Sequence, residues 1–325
     1  MARVLYISYT GLLEPLGQSQ VLQYLVGLSR DHEIELISFE KPDQFADIDQ
    51  KQTLAKQLTG AGIYWHPLKY HKRLSILATA YDLICMYRKA LQLDRQAAFD
   101  IVHCRSYIAA IAGAWMKKRR GTKFIFDMRG FWADERVDGG IWKAGGLLYR
   151  GAKRVEAWLL LNTDFLVSLT KAGVVEIKKF PYMQGVELHS AVIPTCTNMA
   201  LFKRVSSEAK NKALTLGMVG SVGTWYLFNE MLDCVACIFA ANPESRLLVV
   251  NKSDHALIRQ KLAALGIAND RVEIVAANYN EVANYIGRMD FGLFFIKPVF
   301  SKKASAPTKL GEFLACGIPC LTNAG

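Results

Sequence analysis

Short apolar runs alternate along the chain with longer stretches in which apolar residues recur every three or four positions. Within residues 1–200 the runs fall at Val4–Tyr9, Ile34–Phe39, Ile63–His66, Asp100–Cys104, Phe124–Met128, Phe165–Thr170 and Val192–Pro194. Between them the spacing predicts helices over Gln18–Ser29, Asp47–Thr59, Leu74–Leu93, Ile108–Lys118 and Ile141–Leu161. This repeated strand–helix order implies a parallel sheet with helices on both faces. Val205–Lys212 is polar and poor in β-formers, as a linker should be. The alternation then restarts, with strands at Leu214–Val219, Arg246–Asn251, Val272–Ala276, Phe291–Ile296 and Pro319–Thr322. Its helices are Trp225–Ala240, His255–Leu265, Tyr279–Arg288 and Lys309–Cys316. The expected fold class is α/β, with two doubly wound domains, residues 1–200 and 201–325, facing a cleft. Ligands of such sheets bind at the carboxyl ends of the strands, where the strand order reverses.

Composition narrows the class. A chain of 325 residues with 51% hydrophobic and 21% charged residues is globular rather than disordered. No apolar run reaches the ~18–20 residues of a bilayer span, and Met1–Thr10 reads as a strand rather than a signal peptide. The expected compartment is the cytoplasm. Seven cysteines fit free thiols there; Cys234 and Cys237 are expected on one buried helix face, since no further ligand pair supports a metal. The net charge of +11 divides as +7 over residues 1–200 and +4 over 201–325. It gathers in Lys69–Arg73, Lys117–Arg120 and Lys143–Arg154, which would attract anionic lipid or phosphorylated ligands, or simply be solvated helix ends. No nucleic-acid-binding module accompanies it, so nucleic acid is not an expected partner.

Candidate chemistry concentrates in a few places. In Ser305-Ala-Pro-Thr-Lys-Leu-Gly-Glu312, Pro307 suits a first helical turn, leaving the amides of Thr308, Lys309 and Leu310 free to meet an anion. Lys309 adds positive charge, and Glu312, one turn on, offers a carboxylate to a ribose diol. Gly317 and Pro319 end that helix. Gly17 follows a strand and opens a helix, where backbone can approach a diphosphate; it also suits a plain helix entry. Asp127, Arg129, Asp134 and Glu135 crowd a strand end, either as a site lip or as ion pairs that fix the loop. Asp127 is the candidate catalytic carboxylate, with Arg129 and Glu135 as candidate binding residues. His103 ends another strand beside Arg105 and Ser106, facing a ligand or serving as a satisfied core residue.

The run Ser305–Pro319 resembles the donor-binding segment of family 4 retaining glycosyltransferases, which have the GT-B fold of two Rossmann-like domains. Gly11-Leu-Leu-Glu-Pro-Leu-Gly-Gln-Ser-Gln-Val21, Phe124–Glu135, Val192–Asn198 and Gly220-Ser-Val-Gly-Thr-Trp-Tyr226 resemble other segments of that family, in the same order. The resemblance implies a sugar passed from a nucleotide-diphosphate donor, held by the C-terminal domain, to a glycan or lipid-linked acceptor met by the N-terminal one. It places Gly220 and Gly223 in the loop opening the donor domain and matches Glu312 to the ribose-binding Glu. The family's other Glu, eight positions earlier, falls on Ala304, and the Arg and Lys that grip the diphosphate elsewhere have no match between Gly220 and Glu244. Lys309, with Lys297, Lys302 or Lys303, would supply that charge. Where the family often has a His, this sequence has Asp127.

The expected enzyme is therefore a retaining, metal-independent hexosyltransferase of polysaccharide or glycolipid assembly. It needs no cofactor beyond its donor substrate, and its basic patches predict peripheral attachment at the inner face of the membrane. Two alternatives remain: a catalytically impaired nucleotide-sugar-binding fragment, and another GT-B enzyme such as a sugar-nucleotide epimerase. Set against the family, the sequence reads as lacking a C-terminal closure.

Overall fold

The computed structural model describes residues 1–71, 75–204 and 213–324. The predicted linker 205–212 lies outside them, as does part of the basic run Lys69–Arg73. Contacts divide the chain into two compact units, one made of Met1–Pro194 with Phe300–Ala306, the other of Thr195–Val299 with Pro307–Gly325.

The first unit is built on a seven-stranded sheet. Its strands are β1 (Arg3–Ser8), β2 (Glu33–Glu40), β3 (Ile63–Lys69), β4 (Ile101–Arg105), β5 (Lys123–Asp127), β6 (Phe165–Ser168) and β7 (Ser190–Val192). They lie in the order β3-β2-β1-β4-β5-β6-β7, and every pair is parallel. The order reverses between β1 and β4, where Ser8 stands beside Arg105 and Arg105 beside Asp127. The alternation of side chains fills both faces: Leu5 and Ile7 join one core cluster, while Tyr6 joins the other.

The second unit repeats the plan with five strands, β8 (Thr215–Val219), β9 (Arg246–Val250), β10 (Val272–Val275), β11 (Phe291–Leu293) and β12 (Cys320–Leu321). Their order is β10-β9-β8-β11-β12, again all parallel. Leu216 and Met218 of β8 face one core cluster and Val219 the other. The order reverses at β8 and β11, just before Gly220.

Several boundaries differ from the sequence reading. The expected helix Ile141–Leu161 runs only over Leu147–Asn162, with a separate helix at Trp132–Asp138. Gly140 and Gly145, both with positive φ (72° and 69°), break the stretch between them. Gln18–Ser29 begins earlier, at Pro15, and contains one turn wound as a π-helix over Gln18–Leu22. The helix expected from Trp225 starts at Phe228, because Tyr226 bridges to Ile296 instead. Helix Lys171–Lys179 was not predicted; Thr170 caps it by accepting from the Gly173 amide at 2.9 Å. Cys237 is exposed and Cys234 half-buried, so the two thiols do not share a buried face.

Segment Phe300–Ala304 belongs to the first unit for visible reasons. Phe300 stacks on Phe131 at 5.1 Å and 9°. Lys302 Nζ donates to Glu135 Oε1 at 2.8 Å, Lys303 Nζ to Glu176 Oε1 at 3.0 Å, and the Ser301 amide to Asp138 Oδ2 at 3.0 Å. Ala304 is part of the buried core there. A Cβ on Gly173 would stand 3.1 Å from the Ala304 Cβ. A glutamate at 304 would therefore crowd this buried packing, which the Ser168 and Thr170 hydroxyls also share.

Candidate functional site

In the second unit, the loop after β8 and the start of helix Thr308–Ala315 carry six of the candidates: Gly220, Gly223, Thr308, Lys309, Leu310 and Glu312. Gly220 continues β8 with φ +94°, a region that a side chain rarely adopts. A Cβ there would sit 3.4 Å from Lys309 Nζ, so the glycine also lets the ammonium approach the backbone. The turn is fixed from β9: the Gly220 amide donates to Val250 O at 2.9 Å, and Asn251 Nδ2 donates to Gly220 O at 3.0 Å. Four residues on, Thr224 also has positive φ, 48°; such outliers cluster where function over-determines the backbone. Gly223 lies in the same loop, with nothing near the position of a Cβ.

Pro307 caps helix Thr308–Ala315 rather than entering it, so Thr308 is the first helical residue. The first-turn amides lack intrahelical partners, and the helix dipole favours an anion at this end. Lys309 is buried, its Nζ 3.9 Å from the centre of the Tyr226 ring. Among the described residues no carboxylate stands within ion-pair distance of it. Burial pushes its pKa down to about 8, against the opposing pull of Glu312. Burial likewise raises Glu312, and Lys309 partly offsets it. Leu310 is exposed. Gly317 ends the helix as expected, its amide donating to Leu314 O at 3.0 Å. Sequence reasoning missed Tyr226, which only the bridge to Ile296 brings under Lys309.

In the first unit, a second set gathers where the order of β1 and β4 reverses. Asp127 faces Arg105 and Arg129: Arg105 Nη1 lies 3.7 Å from Oδ2 and Arg129 Nη1 3.5 Å from Oδ1. The Nη2 atoms of both arginines donate to one oxygen, Gln20 Oε1, at 2.6 and 2.9 Å. His103 sits below on β4, 4.7 Å from the Tyr6 ring. Burial lowers its pKa to about 4, so its imidazole is neutral near pH 7. Burial also raises the Tyr6 hydroxyl and lowers Arg129. Ser106, immediately after Arg105, has φ +70°. Gln20 escaped the sequence reading because it lies 85 and 109 residues from the two arginines.

Two other candidates have structural partners. A side chain on Gly17 would collide with the carbonyl oxygen of Gly11. This close approach within the loop already requires glycine. The buried Glu40 carboxylate holds the same loop by accepting from the Leu12 and Leu13 amides at 2.9 and 3.0 Å. Glu135 is engaged by Lys302 and, more weakly, by the Ser305 hydroxyl at 3.5 Å. Lys302 and Lys303 thus reach carboxylates of the first unit, which leaves Lys309 as the buried cation of the donor-side set.

Comparison with known proteins bears on this arrangement. The sequence pattern of the family described as glycosyl transferase 4-like domain matches residues 17–179, half of the chain. The chain belongs to that family. Among curated proteins, none matches it by sequence. Solved structures similar to this glycosyltransferase include sucrose-phosphate synthase from Thermosynechococcus elongatus, with a TM-score of 0.74 at 14% identity. That likeness covers 99% of this chain and 81% of the other. Anabaena HepE in complex with UDP and glucose gives 0.65 at 14% identity, covering 99% and 80%. A putative UDP-N-acetylglucosamine 2-epimerase from Listeria monocytogenes gives 0.55 at 13% identity, covering 99% and 78%. These likenesses identify the fold as GT-B: two parallel-sheet α/β domains.

Proposed function

We propose that this glycosyltransferase moves a hexose from a nucleotide-diphosphate donor to a glycan or lipid-linked acceptor, with retention and without a metal. The observation that carries the reading is Lys309, a buried ammonium at a helix N-terminus, beside a glycine turn and one helical turn before Glu312. In this reading the second unit holds the donor. Thr308, Lys309 and Leu310 meet the diphosphate, Gly220 and Gly223 let it approach, and Glu312 accepts from the ribose hydroxyls. Charge developing on the leaving diphosphate is stabilised by donors already in place. The UDP in the HepE complex supports a nucleotide of this kind. The first unit meets the acceptor, with Asp127 orienting or deprotonating a hydroxyl near the donor sugar and His103, Arg129, Glu135 and Gly17 shaping the site. Buried Ala304 offers the donor sugar no carboxylate. A donor screen followed by a transfer assay tests the reading: Lys309→Ala should weaken nucleoside-diphosphate binding, and Asp127→Asn should lose most transfer while keeping donor binding. Unchanged affinity in the first variant would remove Lys309 from the donor site.

The likeness to an epimerase favours one second reading, release of a modified free sugar instead of transfer. Product analysis with and without acceptor separates the two.

We also propose a cytoplasmic protein attached peripherally to the inner face of a membrane, acting in polysaccharide or glycolipid assembly. Among the described residues no helix is long and apolar enough to cross a membrane. Helix Ser75–Gln96 exposes Ile76, Leu77, Tyr81 and Ile84, while Leu147 and Leu148 lie exposed beside Arg150 and Arg154. Apolar side chains next to basic ones suit an anionic lipid surface. Of the Lys117–Arg120 run, Lys117 pairs with Asp164 and Arg120 with Asp94, as at an ordinary helix end. Binding to anionic liposomes should fall in an Arg150→Glu, Arg154→Glu variant; unchanged binding would count against attachment.

A further inference from the structure

We propose that Arg105, Arg129 and Gln20, at the ends of β1, β4 and β5, bind a phosphate-class anion carried by the acceptor. The inference rests on the transfer reading above. Two guanidinium groups here face one carboxylate, and His103 beside them is neutral, so one positive charge is left over in a largely buried place. Asp127 and Tyr6 are the groups that favour the Arg129 charge, while Arg105 opposes it. The contacts to Asp127, 3.5 and 3.7 Å, are long for charge-assisted hydrogen bonds, which lie near 2.7–2.9 Å. Asp127 Oδ1 and His103 Nε2 are both buried without a hydrogen-bond partner. Each arginine carries five N–H donors in a planar fork that matches a phosphate. Gln20 lines up the two forks by accepting one N–H from each, and half-buried Arg129 and Gln20 open the set to solvent. Asp127 then serves as a placeholder carboxylate that keeps the forks in position until a ligand anion arrives. The donor's diphosphate has its own cation in Lys309, so a second anion site points to the acceptor.

Calorimetric titration of the full chain with inorganic phosphate, and separately with UDP and GDP, tests this. Phosphate affinity should fall at least tenfold in Arg129→Gln, fall less in Arg129→Lys, which keeps the charge but not the fork, and hold in Lys309→Ala. Nucleoside-diphosphate affinity should show the reverse pattern, holding in Arg129→Gln and falling in Lys309→Ala. If Arg129→Gln does not fold, Asp127→Asn decides: loss of the competing carboxylate should tighten phosphate binding several-fold. A purely structural ion pair would not move that readout. Equal phosphate affinity in wild type and Arg129→Gln, no gain in Asp127→Asn, or an equal loss of nucleotide affinity in Arg129→Gln would each overturn the proposal. Failure of the transfer reading looks different: no nucleoside diphosphate would bind in a Lys309-dependent way, whatever phosphate does.

Discussion

The two sheet ends of this protein treat buried charge differently. In the first unit Arg105 and Arg129 share a carboxylate and a glutamine oxygen. In the second, Lys309 lies against an aromatic ring with no ion-pair partner among the described residues. Partnered charges give a site its shape. A buried, unpartnered ammonium costs free energy in the empty protein and recovers it only when an anion binds. The contrast gives the first set a site already shaped around its own carboxylate, and the second an open cation for the donor's anion.

The largest effect expected from the contrast is on ligand affinity. Lys309→Ala should weaken nucleoside-diphosphate binding roughly 10–100-fold, the range of a lost hydrogen bond to a charged group. The empty protein should respond in the opposite sense. With its pKa moved from 10.5 to about 8, charged Lys309 costs the fold about 3 kcal/mol at neutral pH. Lys309→Met should therefore raise the unfolding temperature at pH 7. Between pH 8 and 10.5 the unfolded chain holds a proton that the native protein has released, so wild-type stability rises there and the advantage of Lys309→Met shrinks. A melting series across that range checks the sign. If Lys309→Met were less stable at every pH, the contrast would fail.

A comparable acid-side effect belongs to the first unit. His103 has its pKa moved from 6.5 to about 4. As pH falls through that interval, the unfolded chain takes up a proton that the native one refuses, and stability declines by up to about 3 kcal/mol. His103→Gln should flatten this part of the pH–stability curve; an unchanged slope would show that His103 protonates freely in the fold. The smallest effect should come from Glu135→Gln. It removes the half-exposed ion pair to Lys302 and should cost under about 1 kcal/mol in a denaturant titration. A larger loss would mean that the 300–304 segment depends on this one contact.

The fold was legible because buried parallel strands are written as unbroken apolar runs: Val4–Ile7 and Leu247–Val250 cannot easily be anything else in this order. Helix ends were less so. Ile141–Leu161 reads as one amphipathic stretch until the glycines at 140 and 145 take left-handed conformations, which the apolar spacing alone does not show. At the donor-side set, Lys309 and Glu312 could be named because a helix first turn is a local feature, while Gly220 was placed by the family resemblance of its loop. What could not be read were partners distant in sequence: Tyr226 under Lys309, Gln20 across two arginines, and Glu40 gripping the loop that carries Gly17. Those contacts depend on which strands become neighbours, so the topology had to be known first. Ala304 shows the same limit. The sequence marks the missing glutamate, but only the packing against Gly173 shows that the position is buried and crowded.

The most direct test of the central claim is proton uptake on nucleoside-diphosphate binding at pH 8.5, measured by calorimetry in two buffers of different ionisation enthalpy. A bound diphosphate beside Lys309 should raise its pKa from about 8, so wild type should take up a fraction of a proton and Lys309→Ala none. Tight binding with no proton uptake in wild type, or with the same uptake in Lys309→Ala, would contradict the assignment of Lys309 as the cation that meets the diphosphate.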